Sequence, residues 1–435
     1  MISNIRKFRT LIIIFFLLSG LFLTGFVYTS VSCNDKNINL QKPENKMSSE
    51  IMDSNIFSAV KKFNDADSSA FELHYDAVVI DGHNDYLYQI YKRGANFGKK
   101  DQNTQTGLVR FEEGGVDVQV FAMWIPSEKV SSSKSFVLNE INILNDLSRT
   151  FNDRFEVAYN YDDIVRIVSS GKTAGLSGIE GGTAIGNNLD NINELKKLGV
   201  AYIGLTWNNS NNIGTSASDE HKTGKGGLTE FGKKVIKRMN ETGVLVDVSH
   251  LGEKSFWDVI ETTNSPIIAS HSNCYAINPH YRNLTDEQIK AIAKTGGIIM
   301  INFHDPFVSP NSVNDSPNAN SVYKNELNKI YSEYNYDLIN YNKAREEFLN
   351  NINYDNQISI DDLIDHIDHI KELVGIDYIG IGSDFDGGIN PPFDLYDGTC
   401  YPLLTKKLAK RGYTEIEIRK ILGLNFLKVF KQVCG

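Results

Sequence analysis

Three histidines, an aspartate and a glutamate stand in short motifs able to hold metal: Asp81-Gly-His83-Asn-Asp85, Gly178-Ile-Glu180-Gly, Ser249-His250 and Ser270-His271. Imidazole nitrogen and carboxylate oxygen suit zinc, with manganese or iron as alternatives for the same donors. Residues two apart in an extended chain point the same way, so His83 and Asp85 can reach one ion. Glu180 has two oxygens and can hold one ion with each, which makes it the natural bridge between metals that share a water. Such a water ionises near neutral pH and attacks a carbonyl that a metal polarises. The leaving amine then needs a proton. Asp384 or Asp386 in Ser383-Asp-Phe-Asp-Gly387 can deliver it. Asp384 is preferred because it stands nearer the end of a strand, whereas Asp386 suits a turn cap before Gly387-Gly388.

These side chains need elements that bring them together. Eight short apolar, β-branched runs recur along the chain: 77–81, 119–124, 174–179, 201–206, 244–248, 266–270, 297–303 and 378–381. Their nearly continuous apolar character predicts strands covered on both faces. Between them lie helical stretches. Lys233–Thr242 stops at Gly243, Thr285-Asp-Glu-Gln opens another helix, and a third runs from Asp361 to Leu373. Strands alternating with helices in this number predict a (β/α)8 barrel, with a doubly wound sheet as the alternative. His83 and Asp85 follow the first predicted strand, Glu180 closes the third, His250 the fifth and His271 the sixth, while Asp384 follows the eighth. All therefore fall at carboxyl ends, the face on which such barrels build active sites.

The chain has 435 residues, 41% of them hydrophobic, which is enough for one large core. A net charge of −10, with no stripe of Lys and Arg, excludes a nucleic-acid binder. Arg6, Lys7 and Arg9 precede an apolar run from Leu11 to Val27 and small residues ending at Cys33. That layout predicts export, either as a lipoprotein lipidated on Cys33, or through an uncleaved membrane anchor, or as a secreted protein. Residues 1–33 form the signal or anchor, 34–70 a polar tether, and 71–435 the catalytic domain, with an insertion around 309–357 that either covers the barrel mouth or serves subunit contacts. After Cys33 only Cys274, Cys400 and Cys434 remain, an odd number with no Cys-x-x-Cys spacing, so neither a dense disulfide framework nor a thiolate metal site is expected.

From Phe71 onward the chain resembles the membrane (renal-type) dipeptidases, a peptidase family among the amidohydrolase-like barrels. The resemblance rests on Asp81-Gly-His-Asn-Asp85, Gly178-Ile-Glu-Gly-Gly182, Asp247-Val-Ser-His250, Ser270-His-Ser272, Arg282-Asn283 and Ser383-Asp-Phe-Asp-Gly387, in order and at fitting separations. It implies that His83 and Asp85 bind one zinc, His250 and His271 a second, and that Glu180 bridges the two Zn2+ ions. It further implies that Arg282 grips the substrate's terminal carboxylate and that Asp384 is the catalytic acid/base. The family hydrolyses dipeptides, often with a D-residue in second position, and commonly forms homodimers. Arg282 fits without the family too, since a planar guanidinium holds a carboxylate by two hydrogen bonds.

One departure concerns Trp207, in Leu205-Thr-Trp-Asn-Asn-Ser-Asn211, which stands where well-known members carry a substrate-binding histidine. An indole only donates, so Asn208, Asn209 or Asn211 becomes a candidate for the missing hydrogen bond, or Trp207 narrows the pocket by its bulk. Of the remaining histidines, His366 and His369 read as a solvated helix face, while His304-Asp305 follows a strand and is placed to line a pocket. Two other functions compete with dipeptide hydrolysis: a related metal-assisted hydrolase acting on a lactam, ester or other amide, and a lipid-anchored binding protein that has lost turnover.

Overall fold

The computed structural model describes residues 67–312, 319–334, 337–352 and 357–435. Residues 1–66, which hold the expected export segment with Cys33 and most of the expected tether, lie outside them. Among the described residues, no helix is long and apolar enough to cross a membrane.

Nine strands form one sheet: β1 Val79–Asn84, β2 Val116–Trp124, β3 Phe155–Val157, β4 Thr173–Glu180, β5 Val200–Gly204, β6 Leu245–Asp247, β7 Ile267–Ala269, β8 Ile298–Ile301 and β9 Ile379–Ile381. Their order is β1-β2-β4-β5-β6-β7-β8-β9, every pair parallel. Beyond β9 the chain returns to β1. Asn84 bridges Phe385, Asp85 N donates to Phe385 O at 2.9 Å, and Asp384 N donates to His83 O at 3.1 Å. An eight-stranded barrel results, and the doubly wound alternative is excluded because its edge strands would not meet. The extra strand β3 lies outside the ring. It pairs with Thr173–Gly175 at the start of β4, before β5 joins that edge at Ser177.

A period of two runs beneath the apolar sequence of these strands. Val118, Val120, Leu176, Tyr202, Leu245, Ile298 and Met300 share one buried cluster, while Phe121, Met123, Ile179, Ile203, Val246, Ile299 and Ile301 belong to another beneath the helices. Alternate side chains thus fill the barrel or meet the outer layer, as the pleat demands. The C-terminal helix Asn425–Cys434 adds Phe426 and Phe430 to the inner cluster. Asn425 Nδ2 donates to Ile379 O at 2.9 Å and Cys434 Sγ to Ala201 O at 3.5 Å, so this helix seats under the strand starts and leaves the carboxyl ends for chemistry.

Local signals set the helix boundaries. The helix Glu230–Thr242 is capped by Thr229, whose hydroxyl accepts from Gly232 N at 2.9 Å, and ends on Gly243 at φ 73°, a left-handed position that suits glycine. Capping boxes open Asp286–Lys294 (Thr285 with Gln288) and Ile360–Val374 (Ser359 with Asp362). On this last helix the expected solvated histidine face is corrected. His366 is fully buried, its Nδ1 accepting from Cys274 N at 3.0 Å and its Nε2 donating to Val308 O at 2.8 Å. Only His369 lies near the surface, paired with Asp286 at 2.8 Å. The insertion forms helices Ala319–Glu333 and Leu338–Asn350. The second packs on the flank, with Asn342 Nδ2 donating to Tyr75 OH at 2.9 Å and buried Arg345 donating to Thr399 O at 2.8 Å. Cys274, Cys400 and Cys434 are free and buried.

Candidate metal centre

All five expected ligands meet at the carboxyl ends of the barrel strands. Glu180, last residue of β4, lies between the histidines. Its Oε1 is 3.0 Å from His250 Nε2 and 3.6 Å from His271 Nε2, and its Oε2 is 3.9 Å from His83 Nε2. His83 Nε2 is 3.7 Å from Asp85 Oδ2. Neighbouring ligands of a tetrahedral ion with bonds of ~2.1 Å stand about 3.4 Å apart, so these spacings suit donors to common ions. Ligand atoms of His83, Glu180 and His271 lie within 4.8 Å of one another, as do those of His83, Asp85 and Asp384, while His250 meets Glu180 Oε1.

Hydrogen bonding on the far side of each ring fixes which nitrogen faces inward. Tyr202 OH donates to Gly82 O at 3.1 Å and therefore accepts from His83 Nδ1 at 2.9 Å. Ser270 Oγ donates to Asp247 Oδ2 and accepts from His271 Nδ1, both at 2.7 Å. Asn208 Oδ1 accepts from His250 Nδ1 at 3.0 Å. With the proton on Nδ1 in all three, each Nε2 turns a lone pair toward Glu180. His83 Nε2, His271 Nε2 and Asp85 Oδ1 are buried with no hydrogen-bond partner. Unmatched buried acceptors are costly, and a cation at their focus satisfies them.

Electrostatics agree. Burial, reinforced by the charge of Glu180 and then Asp384, pushes the Asp85 carboxyl far above the usual range, and Glu180 is raised mainly by burial. Burial likewise drives the three imidazoles down, His83 to about 3. Neutral imidazoles are the ligating form, and divalent charge stabilises the carboxylates that burial opposes.

Two of the motifs hold their residues in strained backbone. Among the described residues, His250 (φ 64°), Asp384 (φ 65°) and Asp386 (φ 67°) are the non-glycine residues in the left-handed region, which costs of order 1–3 kcal/mol each. The surroundings enforce it. His250 O accepts from Thr206 Oγ1 at 3.0 Å and Ala217 N at 2.8 Å. Asp384 Oδ2 accepts from Asn302 Nδ2 at 3.0 Å, and an Asp384 oxygen lies within 4.8 Å of ligand atoms of His83 and Asp85. Burial raises the Asp384 carboxyl well above its ordinary range, which favours a carboxyl that holds a proton near neutrality.

Asp386 is not the cap of Gly387-Gly388 that its position suggested. Its carboxylate accepts from Gln105 N at 2.6 Å, Thr106 N at 3.1 Å and Thr106 Oγ1, and Gln89 Nε2 donates to its carbonyl at 2.6 Å. It clamps the loop after β9 to the loop before Leu108. Asp386→Ala strands these donors, at about 1–3 kcal/mol for an unsatisfied buried group. The melting temperature is expected to fall by roughly 1–4 °C. Calorimetry checks this, and an unchanged transition would contradict the clamp.

A cavity of about 640 Å³ opens over the ligands, lined by Glu180, Trp207, Asn208, His250, Arg282 and Asp384 among others. His304 lines it as expected, and so does His280, which its sequence context did not single out. No described residue of the insertion lines it. Arg282 is buried; Nη2 donates to His271 O at 3.3 Å and Nε has no partner. Asn208 is engaged with His250, Asn209 with Ser127 and Asn211 with Leu205 O, so their side chains already serve the loop and the ligand shell. Ser270, Asp247 and Asn302 carry no individual signal in the sequence, whereas inward strand parity marks Tyr202.

A parallel barrel carrying imidazole and carboxylate donors at its carboxyl ends defines a metal-dependent hydrolase. The chain belongs to the membrane dipeptidase family, peptidase family M19, whose sequence profile matches residues 68–434. It is 28% identical over 368 residues to dipeptidase tcpJ of Claviceps purpurea, covering 81% of this chain and 76% of that one. A metallopeptidase of Rhodobacter sphaeroides, solved with a phosphinate mimic of the dipeptide L-Ala-D-Ala, is 25% identical with a TM-score of 0.67, over 82% of this chain and 99% of that one. The probable dipeptidase PvdM of Pseudomonas aeruginosa shares the fold, with 23% identity and a TM-score of 0.69 over 84% of this chain and 98% of its own.

Proposed function

We propose that this metallo-dipeptidase cleaves dipeptides with a free C-terminal carboxylate, including those with a D-residue in second position, at a pair of zinc ions. Arg282 carries the reading. A guanidinium so buried, with Nε unmatched and burial lowering its pKa, calls for an anion inside the cavity it shares with Glu180 and Asp384. A dipeptide supplies that anion one residue from its scissile bond. The mimic bound by the Rhodobacter sphaeroides relative is of that length, with D-alanine second.

His83, Asp85, Glu180, His250 and His271 would hold the ions, which supply an activated water and a Lewis acid for the scissile carbonyl. Arg282 orients the carboxylate by a forked pair of hydrogen bonds. Asp384, fixed by Asn302, gives its proton to the leaving amine. Trp207 and Asn208 border the substrate, the latter also orienting His250.

Comparing a dipeptide with its C-terminal amide tests the carboxylate clamp. Losing charge-assisted bonds should lower kcat/KM about 100-fold. Equal rates would remove the role of Arg282 and favour hydrolysis of a lactam, ester or other amide. From Arg6, Lys7 and Arg9, the Leu11–Val27 run and Cys33, we also place the enzyme outside the cytoplasm on a lipidated Cys33. Metabolic labelling with a fatty acid should mark the wild type and not Cys33→Ser. An unlabelled wild type in a host that processes lipoproteins would contradict this.

A further inference from the structure

A second cavity of about 550 Å³ adjoins the catalytic one, lined by Ile125, Val130, Thr183 and Trp207 together with the turn from Asn209 to Asn212. The two meet along Glu180 and Trp207, which line both. We propose that this groove receives the side chain of the substrate's N-terminal residue, and that Trp207 makes an apolar side chain the preferred one.

The inference rests on the dipeptidase reading, which supplies the direction of the substrate. Arg282 lines the catalytic cavity and not the groove, so a carboxylate held there places the C-terminal residue on that side of Glu180. Consecutive Cα atoms are ~3.8 Å apart. With its scissile carbonyl at the ligands, a dipeptide therefore carries its first Cα to the Glu180–Trp207 boundary, and its first side chain projects beyond it.

Groove chemistry then selects that side chain. Glu180 is the one charged residue among those lining it, and it is committed to the ligand cluster. Ile125, Val130 and the indole offer apolar surface, with asparagines along the turn. The indole is held in place. Its ring lies 5.1 Å from Trp124 at 66°, and Trp124 lies 4.8 Å edge-on from Tyr88. Gly181, at φ 96°, passes beneath it, where an added Cβ would be 3.7 Å from Trp207 Cβ. An imidazole at position 207 would bring an acceptor and a titrating charge; the indole brings neither. The residue that departs from the family pattern thus becomes the wall of an apolar subsite.

The experiment measures kcat/KM with the zinc-loaded enzyme over a series Xaa-Ala, with Xaa as Gly, Ala, Leu, Phe, Asp and Lys, and over a series Leu-Xaa. Wild type should favour Leu and Phe over Gly and Asp in first position by at least about tenfold. Trp207→Ala should flatten the first-position profile while keeping discrimination against a C-terminal amide. Val130→Asp changes a groove-lining side chain that is 46% exposed and is not one of the five ligands, and should shift first-position preference toward Lys. A first-position profile unchanged in both variants, a wild-type preference for Asp or Lys, or a change confined to the Leu-Xaa series would overturn the assignment. Failure of the zinc-loaded wild type to cleave any dipeptide would instead overturn the dipeptidase reading beneath it.

Discussion

Glu180→Ala is expected to release metal and abolish hydrolysis, the largest effect of any single substitution here. Its two oxygens face different histidines, Oε1 toward His250 and His271 and Oε2 toward His83. In the proposed two-ion centre, removing it would take a shared ligand and its negative charge from both ions at once. What remains is three buried neutral imidazoles and Asp85, whose own carboxyl burial disfavours as an anion. Each metal function contributes several kcal/mol to the barrier, and every ~1.4 kcal/mol is tenfold in rate. Turnover should therefore fall by more than about 1,000-fold, together with bound zinc. Elemental analysis alongside a dipeptide assay reads both. A variant that kept its metal and more than about a hundredth of its activity, a loss of under ~3 kcal/mol, would show that Glu180 is not the shared ligand.

Asp384→Asn should separate chemistry from metal binding. The amide has the shape of the carboxyl, tolerates the left-handed backbone at φ 65° as aspartate does, and leaves the Asp384 N to His83 O bond of 3.1 Å intact. Its oxygen can still accept from Asn302 Nδ2. Only the exchangeable proton is lost. Removing a positioned general acid costs about 100- to 10,000-fold in turnover. Zinc content and melting temperature should stay near wild type. If zinc were lost in step with activity, Asp384 would be a ligand of the His83–Asp85 position, which its approach to within 4.8 Å of their ligand atoms makes the specific competing role.

Much of this site was legible in the chain, because barrel strands covered on both faces leave long apolar runs and end where their polar residues begin. Glu180 after Ile179 and His271 after Ser270 mark such ends directly. What escaped depends on approaches between distant residues. β3 carries the half-buried Glu156 between Phe155 and Val157 and pairs with the start of β4, so no apolar run marks it. Asp386 looked like a turn former, yet its donors come from Gln105 and Thr106, far away in sequence. His366 sat in a charged helix pattern, and only the packing of Cys274 and Val308 against it reveals a satisfied core histidine. Asn208, a substrate-contact candidate by its place after Trp207, also orients His250.

The proposed pair of zinc ions is tested most directly by counting metal. Purified, unchelated enzyme with full dipeptidase activity should contain two zinc ions per chain, and metal-free protein should regain activity on titration up to two equivalents. Full activity with one ion per chain, or with none, would contradict the bridging arrangement around Glu180.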